Sequence, residues 1–316
     1  MATERILITG ANGLLGQELV WQLSRRDSYE LLATGRDPAS RLKGSLDHSY
    51  KPLDVCDPGR IQKIFNEFSP EYVINCAAMT AVDNCENDRD ACWRVNAEAV
   101  GNLAKLCHGR GAHLIQLSTD FVFNGKDGPY YEHNRPDPVN FYGKSKLAGE
   151  NAARAACMGK LAIIRTNVVY GRSNGLSRPD FVGWVIKNLT HKHPIQVYTD
   201  QWRTPSYTYD LAMGILRLVH FRKSGVYNLS GREFLSMYEF ARSIAEAFDL
   251  DSTLITPIVQ QDKPQLAQRP ERTGLVILKS ETELDYRPLS LKEALAHLHL
   301  RSQMTSTGSP FEDAWC

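Results

Sequence analysis

A tyrosine and a lysine one helical turn apart, Tyr142 and Lys146, are the residues of this sequence best placed for proton-transfer chemistry. Leu147, Ala148 and Ala152 recur at helical spacing behind them, so both side chains should project from one face of a helix. A phenol with a pKa near ~10 exchanges protons poorly at neutral pH unless a neighbouring cation favours the phenolate, and Lys146 supplies that cation by position. Alone, the pair is more typical of an exposed helix surface. A catalytic interpretation therefore needs a cofactor and a substrate site elsewhere in the chain.

A strand, a glycine-rich turn and a helix open the sequence. The apolar stretch Arg5–Thr9 runs into Gly10, Gly13 and Gly16, which are spaced G-x-x-G-x-x-G. Gly10 suits a tight turn, Gly13 lets a diphosphate approach the backbone, and Gly16 lets the helix pack close to the strand. Free amides and the dipole at the start of the helix would hold the diphosphate. The context predicts a dinucleotide site, although glycines also simply make turns.

The end of the second strand indicates which dinucleotide is bound. Tyr29–Thr34 is followed by Gly35, Arg36 and Asp37, with Arg41 close behind. An acidic residue about 20 positions after the glycine turn would hydrogen-bond a ribose 2′-hydroxyl, whereas an arginine accommodates a 2′-phosphate. Arg36 therefore favours NADP over NAD, and NADPH over NADH. The alternatives are that Arg36 is a solvated loop charge or that Asp37 is the residue in register.

Apolar strands alternate with amphipathic helices as far as Val169, which predicts an α/β fold with a doubly wound, Rossmann-like parallel sheet. Ligands bind beyond the carboxyl ends of such strands, where Asp54, Ala77, Ala78, Thr80 and Thr119 should lie. A smaller C-terminal substrate-binding lobe is expected where the alternation breaks. We predict a cofactor domain at 1–170 plus about 207–232, a substrate lobe at about 171–206 and 233–300, and a disordered tail at 301–316.

Composition excludes several function classes for this chain of 316 residues. The formal net charge of +1 provides no global field to attract nucleic acid or anionic membrane. No stretch approaches ~18 consecutive apolar residues, so no membrane segment is predicted. The seven cysteines contain no C-x-x-C pair and are interpreted as reduced and structural, which favours a cytoplasmic location. The histidines are scattered, and no metal site is predicted.

Five motifs follow one another along the first half of the chain: Thr9–Gly16, Asn75–Ala78 with Thr80–Asp83, Val95–Val100, Leu117–Phe123 and Tyr142–Glu150. In this order they resemble the extended short-chain dehydrogenase/reductase superfamily, and within it the dTDP-4-dehydrorhamnose reductase-like family. Their joint match is more specific than any single motif, and it covers residues 5 to about 171. The C-terminal half matches more loosely, through Gln201–Asp210 and Arg269.

The resemblance implies a role for each site residue. The catalytic trio would be Thr119, Tyr142 and Lys146: Tyr142 protonates the developing alkoxide, Thr119 hydrogen-bonds the carbonyl oxygen, and Lys146 lowers the tyrosine pKa and holds the nicotinamide ribose. The substrate would be bound by Thr80, Thr119, Asp120, Arg203 and Arg269. The cofactor would be bound by Gly10, Asn12, Gly13, Leu14, Leu15, Arg36, Asp54, Val55, Cys76, Ala77, Ala78, Tyr142 and Lys146.

Departures from related enzymes narrow the reaction. Dehydratases of the superfamily usually follow the threonine with an Asp-Glu pair, but Asp120 is followed here by Phe121, which disfavours dehydration. Val168 stands where rhamnose-pathway reductases tend to place a tryptophan against the sugar, so the sugar pocket is left open. Arg203 and Arg269 match positions that grip a substrate diphosphate, with solvated loop arginines as the alternative.

Three functions follow from the resemblance. The first is NADPH-dependent reduction of the C4 ketone of a 4-keto-6-deoxy sugar nucleotide, dTDP-linked by resemblance. The second is a sugar-nucleotide epimerase that keeps a tightly held cofactor. The third is a non-catalytic NADP-binding regulatory subunit like the methionine adenosyltransferase β subunit, against which the intact Thr-Tyr-Lys set argues. Related proteins are often dimers, so a homodimer is also expected.

Overall fold

A computed structural model describes residues 3–42 and 48–304. The strands are β1 Glu4–Thr9, β2 Tyr29–Gly35, β3 Ser49–Pro52, β4 Tyr72–Asn75, β5 His113–Thr119, β6 Leu161–Thr166, β7 Val169–Tyr170, β8 Ile195–Tyr198, β9 Trp202–Arg203, β10 Ser206–Tyr207, β11 Gly225–Asn228, β12 Leu235–Ser236 and β13 Ile255–Ile258. The α-helices are α1 Leu14–Leu23, α2 Pro58–Phe68, α3 Val82–Asn87, α4 Arg89–Trp93, α5 Ala99–Arg110, α6 Phe141–Ala156, α7 Phe181–Thr190, α8 Thr208–His220, α9 Met237–Ala247, α10 Leu278–Leu284 and α11 Leu291–Met304. A π-helical turn, Arg94–Glu98, joins α4 to α5.

Seven parallel strands form the central sheet in the order β11-β6-β5-β4-β1-β2-β3. Successive residues of β1 point to opposite faces, so Ile6 and Ile8 pack on the side of α1 and α8 while Leu7 packs on the side of α2 and α5. Helices therefore bury both faces, and the predicted doubly wound α/β sheet is confirmed. The order reverses direction beside β1, which is the usual ligand position in such sheets.

Strand register brings the chain's chemistry to one edge of the sheet. Thr9 of β1 pairs with Asn75 of β4, Asn75 pairs with Gln116 of β5, and Thr119 at the end of β5 pairs with Thr166. Because the strands are parallel, the turns that follow β1, β4 and β5 lie together. Sequence positions more than a hundred residues apart thus meet at the carboxyl edge.

The segments after β6 build a second apolar cluster around α7, α9 and α11, with Val185, Phe240 and Leu295 among its fully buried members. Short strands accompany it, and β8 pairs with β13. The division into two domains stays a prediction. The disordered tail predicted at 301–316 does not begin at residue 301. Helix α11 continues to Met304, and Arg301 forms a buried ion pair with Glu18 at 3.0 Å. Residues 305–316 lie outside the described ranges. No helix within the described residues is long and apolar enough to span a membrane.

Candidate active site

The glycine turn forms a backbone cradle at the carboxyl end of β1. Gly10 has φ +66, and a Cβ there would lie 2.7 Å from the Ala77 amide nitrogen. A Cβ at Gly16 would overlap the Gly10 carbonyl oxygen. Helix α1 begins after Gly13 without a side-chain cap and has no acidic residue in its first turn. The free backbone amides from Leu14 onward therefore form an uncapped, electrostatically positive helix end that suits a diphosphate.

Asn12 braces the loop that follows β2. Its Nδ2 donates to Asp37 Oδ2 at 2.9 Å and to the Ala39 carbonyl at 3.0 Å, while its Oδ1 accepts from the Arg41 amide at 2.9 Å. Arg41 Nε also pairs with the Asp37 carboxylate at 2.8 Å. The hydrogen-bonding groups of the Asn12 side chain are thus occupied by other residues of the protein. The side chain holds the loop after β2 next to the predicted cofactor site. Arg36 is exposed and makes no hydrogen bond or ion pair with another described residue.

The remaining predicted cofactor residues follow β3 and β4. Asp54 is exposed and accepts from the Cys56 amide at 2.9 Å, and Val55 beside it is buried. The backbone of Cys76 and Ala77 packs against Gly10, with Ala78 half-buried after them and Thr80 exposed beyond. Burial raises the pKa of the Cys76 thiol to about 12, and nearby Lys146 opposes that rise. The turns after β1 and β4 therefore meet directly beside Lys146.

Two short-range features place Tyr142 at this edge. Asn140 caps α6 by accepting from the Gly143 amide at 2.8 Å, and its amide group donates to the Gln268 carbonyl at 2.8 Å. Gly143 leaves room for the Phe121 carbonyl, which any side chain would overlap. The first turn of α6 can therefore lie against the segment after β5. Tyr142 packs edge-on against Phe121, with ring centroids 5.9 Å apart.

Tyr142 is buried beside the Thr119 hydroxyl, and burial raises the pKa of the phenol well above its ordinary value. A hydrogen bond with Thr119 opposes the rise, and the Asp120 carboxylate adds to it. The lowered tyrosine pKa implied by the resemblance is therefore not the net effect in this structure, because desolvation outweighs the other influences. The phenol is protonated at neutral pH and can donate a proton.

Lys146 is buried one turn further along α6, where its Nζ donates to the Leu117 carbonyl at 2.6 Å. Burial lowers the pKa of Lys146 to about 8, and the nearby Glu150 carboxylate opposes that change. The same carbonyl accepts from Gln116 Nε2 at 2.8 Å, and Gln116 Oε1 accepts from Asn75 Nδ2 at 2.7 Å. A buried ladder thus runs across β4 and β5 to the acceptor of Lys146. The sequence analysis missed Gln116, although a glutamine inside an apolar strand was a visible signal.

Asp120 is buried next to Thr119 and is held by four side chains. Its Oδ1 accepts from Thr119 Oγ1 at 3.1 Å, its Oδ2 accepts from Thr273 Oγ1, and Arg203 Nε lies 3.8 Å from Oδ2. Asn167 makes the fourth contact. Burial raises the pKa of Asp120 to about 6, and Arg203 opposes that rise. Thr273 and Asn167 carried no signal in the sequence.

The two predicted diphosphate arginines are engaged within the protein. Arg203 is only 2% exposed, and its guanidinium donates to the backbone carbonyls of Trp202, Pro270 and Glu271 at 2.7–3.0 Å. In this position Arg203 cannot reach a diphosphate. Its predicted role as a diphosphate ligand is therefore corrected: Arg203 is a buried residue that holds three backbone carbonyls together. Arg269 is partly exposed and forms a two-pronged pair with the Asp83 carboxylate at 3.0 and 2.8 Å. A diphosphate could reach Arg269 only in competition with Asp83.

Asn96 and Val168 complete the surroundings of the site. Asn96 lies in the π-helical turn, where it exchanges hydrogen bonds with the Met79 backbone at 2.9 and 3.0 Å and donates to Ser145 Oγ at 3.0 Å. It therefore ties the turn after β4 to α6. Val168 follows β6 with φ +35, an unusual conformation for a β-branched residue.

Comparisons with known proteins place the chain in a family. The family described as "RmlD substrate binding domain" matches residues 4–304. The probable low-salt glycan biosynthesis reductase Agl14 of Haloferax volcanii is 35% identical over 295 residues, which are 92% of this chain and 96% of that protein. The methionine adenosyltransferase 2 subunit beta of Bos taurus is 33% identical over 284 residues, which are 88% of this chain and 82% of that protein.

Two crystal structures share the fold over nearly the whole chain. A dTDP-4-dehydrorhamnose reductase from Clostridium acetobutylicum has a TM-score of 0.83 and 34% identity, covering 95% of this chain and 100% of that one. The dTDP-4-dehydrorhamnose reductase from Bacillus anthracis, in complex with NADP, has a TM-score of 0.82 and 28% identity, with the same coverage of 95% and 100%. The predicted resemblance is confirmed, and the chain belongs to the RmlD substrate-binding-domain family of the extended short-chain dehydrogenase/reductase superfamily.

Proposed function

We propose that this protein reduces the C4 ketone of a 4-keto-6-deoxy sugar nucleotide with NADPH as the cofactor. The observation that carries the proposal is the meeting of Thr119, Tyr142 and Lys146, all nine-tenths buried or more, beside the uncapped start of α1. A buried proton donor next to a dinucleotide cradle is the arrangement that carbonyl reduction needs. The names of the relatives support a reductase acting on sugars.

In the proposed reaction each residue has a separate task. The bound dinucleotide supplies the hydride. Tyr142, which burial keeps protonated, donates its proton to the ketone oxygen. Lys146 is cationic at pH 7, because its pKa of about 8 lies above that pH, and its charge favours the phenolate left behind. The Leu117 carbonyl holds the ammonium in place at 2.6 Å.

The end of β2 supports NADPH over NADH. The Asp37 carboxylate, which could accept from a ribose 2′-hydroxyl, is already held by Asn12 Nδ2 at 2.9 Å and by Arg41 Nε at 2.8 Å. The exposed Arg36 beside it is left to pair with a 2′-phosphate. The reductase complex with NADP agrees with this preference. Asp54 and Val55 would complete the adenosine side.

The substrate side of the proposal rests on Arg269. Of the two predicted diphosphate ligands, this arginine is the partly exposed one, with 11% of its side chain exposed, and Thr80 is exposed three positions before its partner Asp83. Bidentate arginine suits a diphosphate, which would replace the Asp83 carboxylate. We propose a dTDP moiety on the substrate because both structural neighbours are dTDP-4-dehydrorhamnose reductases.

The test is a fluorescence titration of NADPH against NADH, followed by turnover assays with a panel of keto and hydroxy sugar nucleotides. We expect tighter NADPH binding and oxidation of NADPH with a dTDP-linked 4-keto-6-deoxy sugar. The Tyr142→Phe variant should lose turnover by at least a hundredfold, because a general acid typically contributes 10²–10⁴-fold, while NADPH binding stays near wild type. Full activity in this variant would sink the mechanism. Copurifying NAD with no net cofactor consumption would instead indicate the epimerase.

A second candidate is a non-catalytic NADP-binding regulatory subunit, which the 33% identity to methionine adenosyltransferase 2 subunit beta favours. In that case NADPH would bind with Arg36-dependent affinity, but no keto sugar in the panel would be reduced. Coelution with a methionine adenosyltransferase catalytic subunit would support this function. The retained Thr119, Tyr142 and Lys146 support the reductase instead.

A further inference from the structure

The segment Gly171–Asp180 forms a closed loop between β7 and α7, and we call it the strap. It contains no helix or strand. Its two ends meet at Asp180, whose Oδ2 accepts from the Gly171 amide at 2.9 Å while its Oδ1 accepts from the Gly183 amide at 2.7 Å and caps α7. A Cβ at Gly171 would overlap Thr208 Oγ1, so this end packs tightly against α8. The strap therefore has a fixed base, as compact surface loops with functional roles often do.

The tip of the strap, Asn174 and Gly175, is exposed and is held by residues near the start of the chain. Gln17 of α1 forms a reciprocal pair of hydrogen bonds with it: Gln17 Nε2 donates to the Asn174 carbonyl at 3.0 Å, and Gln17 Oε1 accepts from the Asn174 amide at 2.8 Å. Arg41 Nη1 donates to the Gly175 carbonyl. The base and the tip are thus attached to different parts of the molecule.

Gln17 and Arg41 both belong to the surroundings of the predicted dinucleotide site. Gln17 Nε2 also donates at 2.9 Å to the carbonyl of Asn12, which lies inside the glycine turn that would hold the diphosphate. Arg41 is fixed to the loop after β2, because its Nε pairs with the Asp37 carboxylate at 2.8 Å and its amide donates to Asn12. That loop carries Arg36, the residue proposed for the 2′-phosphate. The tip therefore bridges the two loops that would hold the adenosine side of the cofactor.

The contacts at the tip suit a segment that opens and closes. Gln17 is 2% exposed and so presents a fixed amide group, whereas the exposed tip takes part only through backbone groups in these hydrogen bonds. A backbone group that leaves such a contact can hydrogen-bond to water instead, so each bond adds little net stability. Gly175 has φ +64, which glycine adopts without strain. The tip can therefore open locally while the base stays in place.

We propose that the strap is a gate on cofactor exchange: Gln17 and Arg41 hold it closed across the loops of the dinucleotide site, and its tip must open before NADP or NADPH leaves. The proposal rests on the cofactor of the proposed function but not on its sugar substrate. A reductase must release the oxidised cofactor after every turnover, so the gate would lie on its catalytic cycle.

The experiment measures NADPH dissociation by stopped-flow fluorescence, with excess NADP to displace the bound NADPH. Gln17→Leu keeps a buried side chain of similar size but removes three hydrogen bonds, and Gly175→Val places a β-branched residue at φ +64. We expect each substitution to raise the dissociation rate about tenfold, because each destabilises the closed strap. Gly175 is exposed, and a Cβ there would meet only Arg41 Cδ, at 3.8 Å, so Gly175→Val tests the gate even if Gln17→Leu fails to fold.

The chain offers a matched control for each variant. Gln22→Leu removes another buried glutamine of α1, which donates to Glu18 at 2.9 Å and to the Tyr209 carbonyl at 3.1 Å. Gly159→Val changes another exposed glycine with positive φ, which lies before β6 at the opposite edge of the sheet. Both controls should leave the dissociation rate unchanged.

Limited proteolysis reports strap opening without any cofactor. Arg172 is half-buried within the strap, and the only other trypsin site there, Arg178, is blocked by the following Pro179. Cleavage of a locally opened segment follows the population of its open form. The fragment that ends at Arg172, identified by mass spectrometry, should therefore form about tenfold faster in both strap variants, and NADPH should slow its formation.

The outcomes separate this proposal from the reductase function. Unchanged NADPH release in Gly175→Val would overturn the gate, and faster release in Gln17→Leu alone would assign Gln17 to the glycine turn instead; neither result would affect the reductase function. A protein that shows the expected release rates but reduces no sugar nucleotide would overturn the reductase function and leave the gate standing.

Discussion

The Glu150 carboxylate and the Arg165 guanidinium form a buried two-pronged ion pair between the catalytic helix α6 and strand β6. Arg165 Nε donates to Glu150 Oε1 at 3.0 Å and Arg165 Nη2 donates to Glu150 Oε2 at 2.8 Å. Ser118 Oγ also donates to Oε1 at 2.6 Å, from the residue directly before Thr119. Glu150 lies one turn beyond Lys146 on α6. The pair therefore fixes α6, and with it Tyr142 and Lys146, against β6, and the Ser118 bond fixes α6 against β5, the strand that carries Thr119.

The substitution Glu150→Gln should destabilise the protein by roughly 3–5 kcal/mol at pH 7, because it leaves the buried Arg165 charge without its counterion. Urea unfolding at a series of pH values measures this. Arg165 lowers the folded-state pKa of Glu150, so the carboxylate's contribution is present above the unfolded value of 4.5 and is lost as pH falls through the lower folded value. The difference between variant and wild type should therefore narrow only below pH 4.5.

An exposed pair gives the control for that prediction. Glu67→Gln removes the partner of Lys51 on the surface, 2.6 Å away, and should leave the unfolding midpoint near that of the wild type. Equal effects at Glu150 and Glu67 would contradict the structural role of the buried pair.

The substitution Arg36→Ala should weaken NADPH binding about tenfold or more and leave NADH binding unchanged. Arg36 is exposed beside Asp37, and a charge-assisted hydrogen bond to a phosphate contributes about 1.5–3 kcal/mol. Fluorescence titration with both dinucleotides measures the ratio. The control is Arg60→Ala, which removes an exposed arginine of helix α2 and should leave the binding of both dinucleotides unchanged. A loss of the same size for NADPH and NADH would show that Arg36 does not read the 2′-phosphate.

The elements and the catalytic candidates were predictable where a local pattern determines the structure. Gly10 and Gly16 lie where a Cβ would overlap the backbone, so only glycine fits at these two positions. Their spacing in the sequence therefore indicates this tight turn. Tyr142 and Lys146 share a helix, and helical spacing alone puts them on one face. Helix α2 extends over Pro58–Phe68, where Asp57 caps its N-terminus and Pro58 lies in the first turn, so a local pattern also accompanies its start.

What the sequence could not predict depends on contacts between distant segments. Thr273 reaches Asp120 from 153 residues away, and no local pattern announces it. From the sequence, Arg203 was predicted to bind a diphosphate, because arginine suits that group. In the structure its guanidinium donates to three backbone carbonyls instead. The net pKa of Tyr142 was also beyond the sequence, since burial decides its direction and burial is a property of the whole fold.

The substitution Lys146→Met should abolish most turnover and yet stabilise the folded protein by about 3 kcal/mol at pH 7, the equivalent of a pKa lowered from 10.5 to about 8. Burial lowers the folded-state pKa of Lys146 from 10.5 to about 8, so the charged form is costly in the fold. The unfolded chain binds the extra proton between those values, and wild-type stability therefore rises with pH from about 8 to 10.5. The advantage of the variant should shrink over the same window.

Denaturant unfolding at pH 7, 8.5 and 10 measures the Lys146→Met effect, and the Leu117 carbonyl left behind still accepts from Gln116. Lys144→Met changes an exposed lysine on the same helix and should alter neither turnover nor the pH dependence. A Lys146→Met variant that is less stable than wild type at pH 7 would contradict the cost assigned to the buried charge.

Val168 allows a test of backbone strain at the rim of the site. Its φ of +35 places a β-branched residue in the left-handed region, which costs on the order of 1–3 kcal/mol for a residue with a Cβ. Glycine escapes this cost and alanine does not. Val168→Gly should therefore be more stable than Val168→Ala by about 1 kcal/mol, although alanine is normally the more stable of the two.

The neighbouring Val169 provides the matched comparison for Val168. It lies in β7, where its backbone pairs in parallel with Ser206, and positive φ is not found there. Val169→Gly should consequently be less stable than Val169→Ala, the usual order, because glycine loses more backbone entropy on folding. Urea midpoints of the four variants decide the matter, and the same order at both positions would show that Val168 is not strained. Strain is tolerated when the surrounding structure or the function requires it. If Val168 also lines the sugar pocket, both of its variants should raise KM for the sugar nucleotide while NADPH affinity stays constant.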